Sequence, residues 1–302
     1  NPVDGQVWYN TTSNTVKAGY INPGSWATGG ALNTARYQLV GAGTQTAALA
    51  FGGYPTAAGY TESYNGTSWT EVNDLNTARG SLAGVGATNT AALAFGGQLG
   101  APTYAPTAVT ETWNGTNWTE VNDLGTARYY LTGAGTNTAA LAFGGTPPAT
   151  GATESWNGTN WTEVNDLGTA RYLLGGCGAT NTAALAFGGN TPTTTAATEL
   201  WNGTNWTEVN DLNTARYWLA GAGTQTAALA IGGEDPGALT AVTESWNGTN
   251  WTEVADLGTA RKELGGAGTN TAALAFGGET PTTTTATEEW NSGPATVTFD
   301  VS

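Results

Sequence analysis

The tripeptide Thr-Ala-Arg occurs six times, ending at Arg36, Arg79, Arg128, Arg171, Arg216 and Arg261, with spacings of 43, 49, 43, 45 and 45 residues. A chain that repeats itself at this period is a set of similar units, none able to bury its apolar surface alone. Each Arg is followed by a short apolar and glycine-rich run, then by TAALAFGG or a close relative. A segment of variable length comes next. Thr-Glu, an aromatic residue, Asn-Gly-Thr-Asn-Trp and Thr-Glu-Val-Asn-Asp-Leu close the unit.

Each unit reads as four short strands. The first follows the Arg, as in Tyr37 to Gly43, and the second is the Ala-rich run, as in Thr46 to Gly52. The third carries Thr-Glu and the first Trp, as at Glu111 and Trp113, and the fourth opens at the second Trp, as at Trp118. Asn-Gly between two aromatic strand ends is a hairpin signal, because both residues tolerate positive φ. Four strands per unit of this length are propeller blades rather than helical repeats. Small side chains in the first two strands suit blades converging on an axis, and aromatic residues fill the outer half where blades splay. The expected fold is therefore all-β, a six-bladed β-propeller with four antiparallel strands per blade.

The sixth unit has Arg261, Gly277-Gly278, Glu288 and Trp290 but no second Trp. Trp26 stands ten residues before Arg36, the separation of Trp69 from Arg79 and of Trp118 from Arg128. Residues Trp26 to Leu32 are thus expected to close the last blade as its outer, N-terminal strand. This divides the chain into a β-hairpin extension (1–21), the propeller (22–293) and a C-terminal strand (294–302). Val297 to Val301 reads as that strand, pairing with Val7 to Tyr9 or leading to a neighbouring chain.

Composition excludes several function classes. Eight Lys and Arg oppose 23 Asp and Glu, for a net charge of −15, and six of the eight cations are the repeated Arg. No basic patch can form, so neither nucleic acid nor an anionic membrane surface is expected as a partner. No apolar run of about 18 residues exists, so no membrane insertion is expected. The first 30 residues show no signal peptide, and the chain opens on Asn1 rather than Met, so a processed product or a piece of a longer polypeptide is expected. The absence of His removes imidazole metal sites and the Ser-His-Asp and Cys-His nucleophile systems. The remaining carboxylates follow the repeat and lack the contrasting environments acid–base catalysis needs. No enzyme and no cofactor are expected, and weak Ca²⁺ binding alone stays open. Cys177 stands in the column of Ala42, Ala134, Ala222 and Ala267 and reads as an inert buried thiol. The Asn-Gly-Thr-Asn-Trp-Thr motif holds two N-glycosylation patterns, but hairpin chemistry accounts for it.

An Arg at a strand start, a Gly-Gly doublet after the second strand and a Trp opening the fourth resemble the Kelch repeat, over residues 22 to 293. The resemblance implies a galactose-oxidase-like propeller whose first strands line a central channel, without that enzyme's copper centre, since no His is present. Residues 5 to 17, Gly-Gln-Val-Trp-Tyr-Asn-Thr-Thr-Ser-Asn-Thr-Val-Lys, resemble a hairpin of bacteriophage tail fibres and other virion proteins. That resemblance implies a viral origin and a place on a virion surface or outside a cell.

Two sets of residues are candidates for a site. The repeated Arg36, Arg79, Arg128, Arg171, Arg216 and Arg261 could ring one mouth and hold anions. Because Thr-Glu and usually Asn-Asp recur with each Arg, they read instead as structural partners of a Glu or Asp in their own or the next blade. The second set lies where the repeats differ. Nearly all length variation falls between strands two and three, in Tyr54 to Tyr60, Gln98 to Val109, Thr146 to Ala152, Asn190 to Ala197, Glu234 to Val242 and Glu279 to Ala286. Those loops share one face with the Thr-Ala-Arg connections, where Tyr37, Gly80, Tyr129-Tyr130, Tyr172, Tyr217-Trp218 and Lys262-Glu263 also vary. Loops on a rigid scaffold are where recognition sits. The candidate ligand-binding residues are Tyr37, Tyr54, Tyr104, Tyr129, Tyr130, Tyr172, Tyr217 and Trp218, whose rings suit sugar stacking or a protein partner. The expected function is a non-catalytic adhesion module that recognises a host surface glycan or protein. The alternative is a decoration or assembly protein that meets other virion proteins or further copies of itself as a homo-oligomer.

Overall fold

A computed structural model describes residues 4–13, 15–55 and 59–300. Of the sequence-based expectations, Val301 and part of the Tyr54 to Tyr60 segment lie outside these residues. The described chain forms six antiparallel blade sheets around one axis, with a further two-stranded sheet of Arg79–Gly80 and Gln98–Leu99 and no helix. The third blade serves as the type: Thr132–Thr136, Ala139–Phe143, Thr153–Trp156 and Trp161–Val164, hydrogen-bonded in that order. The first strands of successive blades contact one another in a closed circle, so they form the channel wall. This wall is glycine-rich because space forbids anything else. A Cβ on Gly41 would lie 2.2 Å from the carbonyl oxygen of Gly266 in the sixth blade.

Blades adhere through the aromatic outer half. The Trp that opens strand four of one blade packs on the Phe of strand two of the preceding blade. Trp118 and Phe51 have ring centroids 5.0 Å apart, and the Trp118 Nε1–H donates to Thr61 Oγ1 at 3.0 Å. Pairing the indole N–H lets the ring be buried without an orphaned donor. The outer rim adds an amide ladder: Asn73, Asn122, Asn165 and Asn210 each donate to the hairpin of the next blade, at 2.8–3.0 Å. In each such hairpin the first Asn side chain accepts from two backbone N–H groups, as Asn114 does from Thr116 and Asn117 at 2.9 Å.

The sixth blade is closed by the N-terminal segment. Strand Thr15–Thr28 pairs antiparallel with Thr287–Asp300, placing Trp26 opposite Trp290 with ring centroids 5.4 Å apart. Trp26 Nε1 donates to Thr243 Oγ1 of the fifth blade at 3.2 Å, the bond its counterparts make elsewhere in the ring. Both long strands continue past the blade, joined by Val7–Asn10, as a three-stranded terminal sheet. The expectation that Val297 onward pairs with Val7 to Tyr9 is corrected: this stretch pairs with Thr15–Ala18, which lies between the other two strands. The terminal sheet leaves from the side where the other blades carry Asn-Gly hairpins, opposite the variable loops.

The first strand of each blade is also corrected. It begins at Val40 rather than Tyr37, because Gln38 turns to φ 52° and Tyr37 forms a separate bridge with Tyr54.

Candidate functional site: the channel mouth

The six repeated arginines are architecture. Each is at most 1% exposed and pairs with the Glu of its own blade at 2.9–3.1 Å. Arg216 shows the full arrangement. Its Nη2 donates to Glu244 Oε1 at 2.9 Å, and Nη1 donates to the carbonyls of Gly232 and Val242 at 2.8 and 2.6 Å. Glu244 Oε2 accepts the Asn213 backbone N–H at 2.7 Å. One ion pair therefore ties the interblade connection, the Gly-Gly end of strand two and the start of strand three. Burial pulls the Arg216 pKa down, and the Glu244 carboxylate pushes it back up. With every guanidinium consumed in this way, the arginines offer nothing to an anionic ligand.

The residue two places after each Arg does something the sequence does not announce. Gln38, Ser81, Tyr130, Leu173, Trp218 and Glu263 all adopt positive φ, between 52° and 59°. That region costs a non-glycine residue on the order of 1–2 kcal/mol. The offset is a closed circle of backbone hydrogen bonds. Each N–H donates to the carbonyl of its counterpart in the preceding blade, at 2.8–3.1 Å, and Gln38 closes the circle onto Glu263. The six side chains then line the upper channel, a cavity of about 150 Å³. The circle is regular in its backbone and different in every side chain, which is the property of a site rather than of a repeat.

The sequence candidates divide between two positions. Tyr130 and Trp218 belong to the circle. Tyr37, Tyr129, Tyr172 and Tyr217 sit one residue earlier and bridge to the residue that follows each Gly-Gly pair. Tyr129 packs on Tyr130 and Tyr217 on Trp218, with centroids 4.7 and 4.8 Å apart. Tyr54 is corrected: it is buried, because its ring occupies the space left by Gly80, where a Cβ would lie 2.2 Å away. Tyr104 is 57% exposed in the longest variable loop and does not line the channel.

Sequence reasoning noted Glu263 as variable but did not place it in the site, and it passed over Gln38 and Ser81. Glu263 is 7% exposed, and its Oε2 has no hydrogen-bond partner; nor has Trp218 Nε1 on the adjoining blade. The unpaired Arg Nε atoms recur in all six blades, whereas these two orphans occur once each. Burial, reinforced by the charges of Glu279 and Glu234, pushes the Glu263 carboxyl up to about 7, against the opposing effects of Lys262 and Gln38. Lys262 Nζ lies 4.3 Å over the Trp218 ring and donates to Glu234 at 2.5 Å. Burial disfavours the Glu234 carboxylate, but hydrogen bonds from Lys262 and Tyr217 prevail and hold its pKa below the ordinary range. Cys177 is buried, its thiol pushed up to about 12 by desolvation.

Glu263 yields a direct expectation for stability. Its carboxyl moves from 4.5 to about 7 on folding, so the folded protein holds this proton more tightly than the unfolded chain. Stability therefore falls as pH rises through that window and stays lower above it. The Glu263→Gln variant is expected to be more stable than the parent by on the order of 3 kcal/mol above neutrality. Denaturant titrations at about pH 4 and about pH 8 check this, since the difference should vanish at the acid end.

Fold and mouth together define the class: the chain is an all-β, six-bladed β-propeller with four-stranded blades, closed by its N-terminal segment. Against known proteins, the chain matches no protein-family model, and no curated protein is similar enough in sequence to serve as a relative.

Proposed function

We propose that this propeller is a non-catalytic recognition module, presenting its loop face and channel mouth to a partner while the terminal sheet leads away from the opposite side. One observation carries the reading. The repeated polar and charged groups are spent on holding blades together, whereas the six unlike mouth side chains stand among the segments of variable length. A single raised carboxyl does not make an acid–base pair, because its neighbours Glu234 and Lys262 neutralise each other. The architectural use of Arg, Gly-Gly and Trp supports membership among the Kelch-type propellers. The setting we assign is a virion appendage such as a tail fibre, and the partner is a glycan or protein of a host surface.

Purified protein applied to host cells should bind, and Trp218→Ala combined with Tyr130→Ala should abolish binding while leaving the fold intact. Binding that survives this double substitution would remove the mouth from the reading. A second reading, attachment to other virion proteins, is favoured by the terminal sheet. Val7, Tyr20 and Phe299 lie on one face of it and are 64%, 43% and 52% exposed. Protein that decorates its own particle and binds no cell would favour that role.

A further inference from the structure

Glu263 is a buried carboxyl that lines the upper cavity, and one of its oxygens has no hydrogen-bond partner. Such a group persists where something outside the chain completes it. The charge inventory says what that something is. Of the eight Lys and Arg, six are the arginines paired within blades, Lys262 is paired with Glu234, and Lys17 lies in the terminal sheet. Lys262 and Glu234 offset each other, which leaves Glu263 and the neighbouring Glu279 without a cation of their own. The field at this edge of the mouth favours a cation and repels an anion.

The walls favour the same ligand. Trp218 already takes the Lys262 ammonium over its ring at 4.3 Å, the arrangement in which an aromatic face attracts positive charge. Tyr130 faces Tyr172 across the adjoining blade with centroids 6.5 Å apart. Among the described residues no group of three or more His, Cys, Asp or Glu is placed to hold a metal ion, so an organic cation fits the surroundings better than a metal. The lining narrows the class further. The upper cavity shares Gly41, Gly84, Gly133, Gly176, Gly221 and Gly266 with a second cavity of about 100 Å³ beneath it. The lower cavity is lined only by Gly, Ala, Val85 and Cys177, walls that suit an alkyl stem and offer no hydroxyl, amide or charged side chain to a sugar ring.

We propose that the channel mouth binds a primary ammonium group on a flexible alkyl stem, the chemistry of a lysine side chain or a linear polyamine, with Glu263 as counter-ion and Trp218 and Tyr130 as walls. This rests on the loop face being the recognition face, and it selects a cationic partner over a neutral glycan for that face.

The test is calorimetric titration of the whole chain at about pH 8 with 1,5-diaminopentane and with Nα-acetyl-lysine methylamide, against 1,5-pentanediol and glucose as neutral probes. The amines should bind and the neutral probes should not. Binding of the lysine derivative identifies a protein partner's side chain, and binding of the diamine alone identifies a free polyamine. Glu263→Gln, expected to fold at least as stably as the parent, should weaken amine binding by about tenfold or more. Affinity should also fall at about pH 5.5 as Glu263 takes up its proton. The other titratable groups around that carboxyl are Lys262, Glu234 and Glu279 and the phenols of Tyr37, Tyr130 and Tyr217. Equal binding of amine and diol, or amine affinity untouched by Glu263→Gln, would overturn the proposal. Host-cell binding that survives Glu263→Gln but is lost with Trp218→Ala and Tyr130→Ala would overturn the ammonium site while leaving the loop face as the recognition surface.

Discussion

Replacing Arg216 with Met is expected to destabilise the protein by on the order of 3–5 kcal/mol, the cost of breaking a buried ion pair from one side. Neither Arg216 nor Glu244 exposes its side chain. Met leaves the Glu244 carboxylate without its counter-ion and the carbonyls of Gly232 and Val242 without their donor. The buried carboxylate still receives N–H bonds from Asn213 and Thr214, which soften the loss without cancelling the charge. The double variant Arg216→Met with Glu244→Leu should recover much of that loss, because it removes the uncompensated charge and replaces both groups with apolar volume. Guanidinium unfolding of the parent, both single variants and the double variant checks this. A double variant as unstable as the sum of the singles would mean that the pair carries no coupling and that packing alone sets the cost.

The second large effect concerns the clasp. Trp26 packs on Trp290 and against the apolar cluster around Ile231, and it donates to Thr243 of the neighbouring blade. Trp26→Ala is expected to cost about 3 kcal/mol, the lower end of the range for buried tryptophans because the ring is half-buried. Removing residues 1–28 goes further. It strips the sixth blade of its outer strand and bares the edge of Thr287–Trp290, inviting edge pairing between molecules. That truncation should show no cooperative monomeric unfolding transition. Removing residues 1–22 together with 294–302 keeps the clasp, and it should unfold as cooperatively as the parent. Calorimetry with sedimentation checks both.

Blade number, the role of the arginines as structural partners of repeated carboxylates, and the clasp were legible because each is written in a residue type that recurs at a fixed place; which carboxylate each Arg takes was not. Trp26 could be recognised from its distance to Arg36 alone, since its chemistry is that of the other outer Trp residues. The positive-φ circle was not legible. Positions 38, 81, 130, 173, 218 and 263 carry no glycine or asparagine to mark a left-handed residue. What holds them there is a set of hydrogen bonds between blades, made only once the ring has closed. The burial of Tyr54 depends likewise on the missing side chain of Gly80, which comes from the next repeat. Glu263 looked like one more carboxylate in an acidic chain. Its distinction comes from burial and from neighbours contributed by three blades, which no local pattern encodes. Where the fold depends on contacts within a repeat, the sequence could be read. Where it depends on contacts around the ring, it could not.

Closure of the ring by the two ends of the chain is most directly measured by a cysteine pair at Ser25 and Asn291, which lie opposite each other in the clasp and are both exposed. In a Cys177→Ala background, Ser25→Cys with Asn291→Cys should form an intramolecular disulfide under mild oxidation and remain monomeric. A control pair, Ser25→Cys with Asn157→Cys, should not. Cross-linking only between molecules, or equal cross-linking of both pairs, would contradict a propeller sealed by its own N-terminal strand.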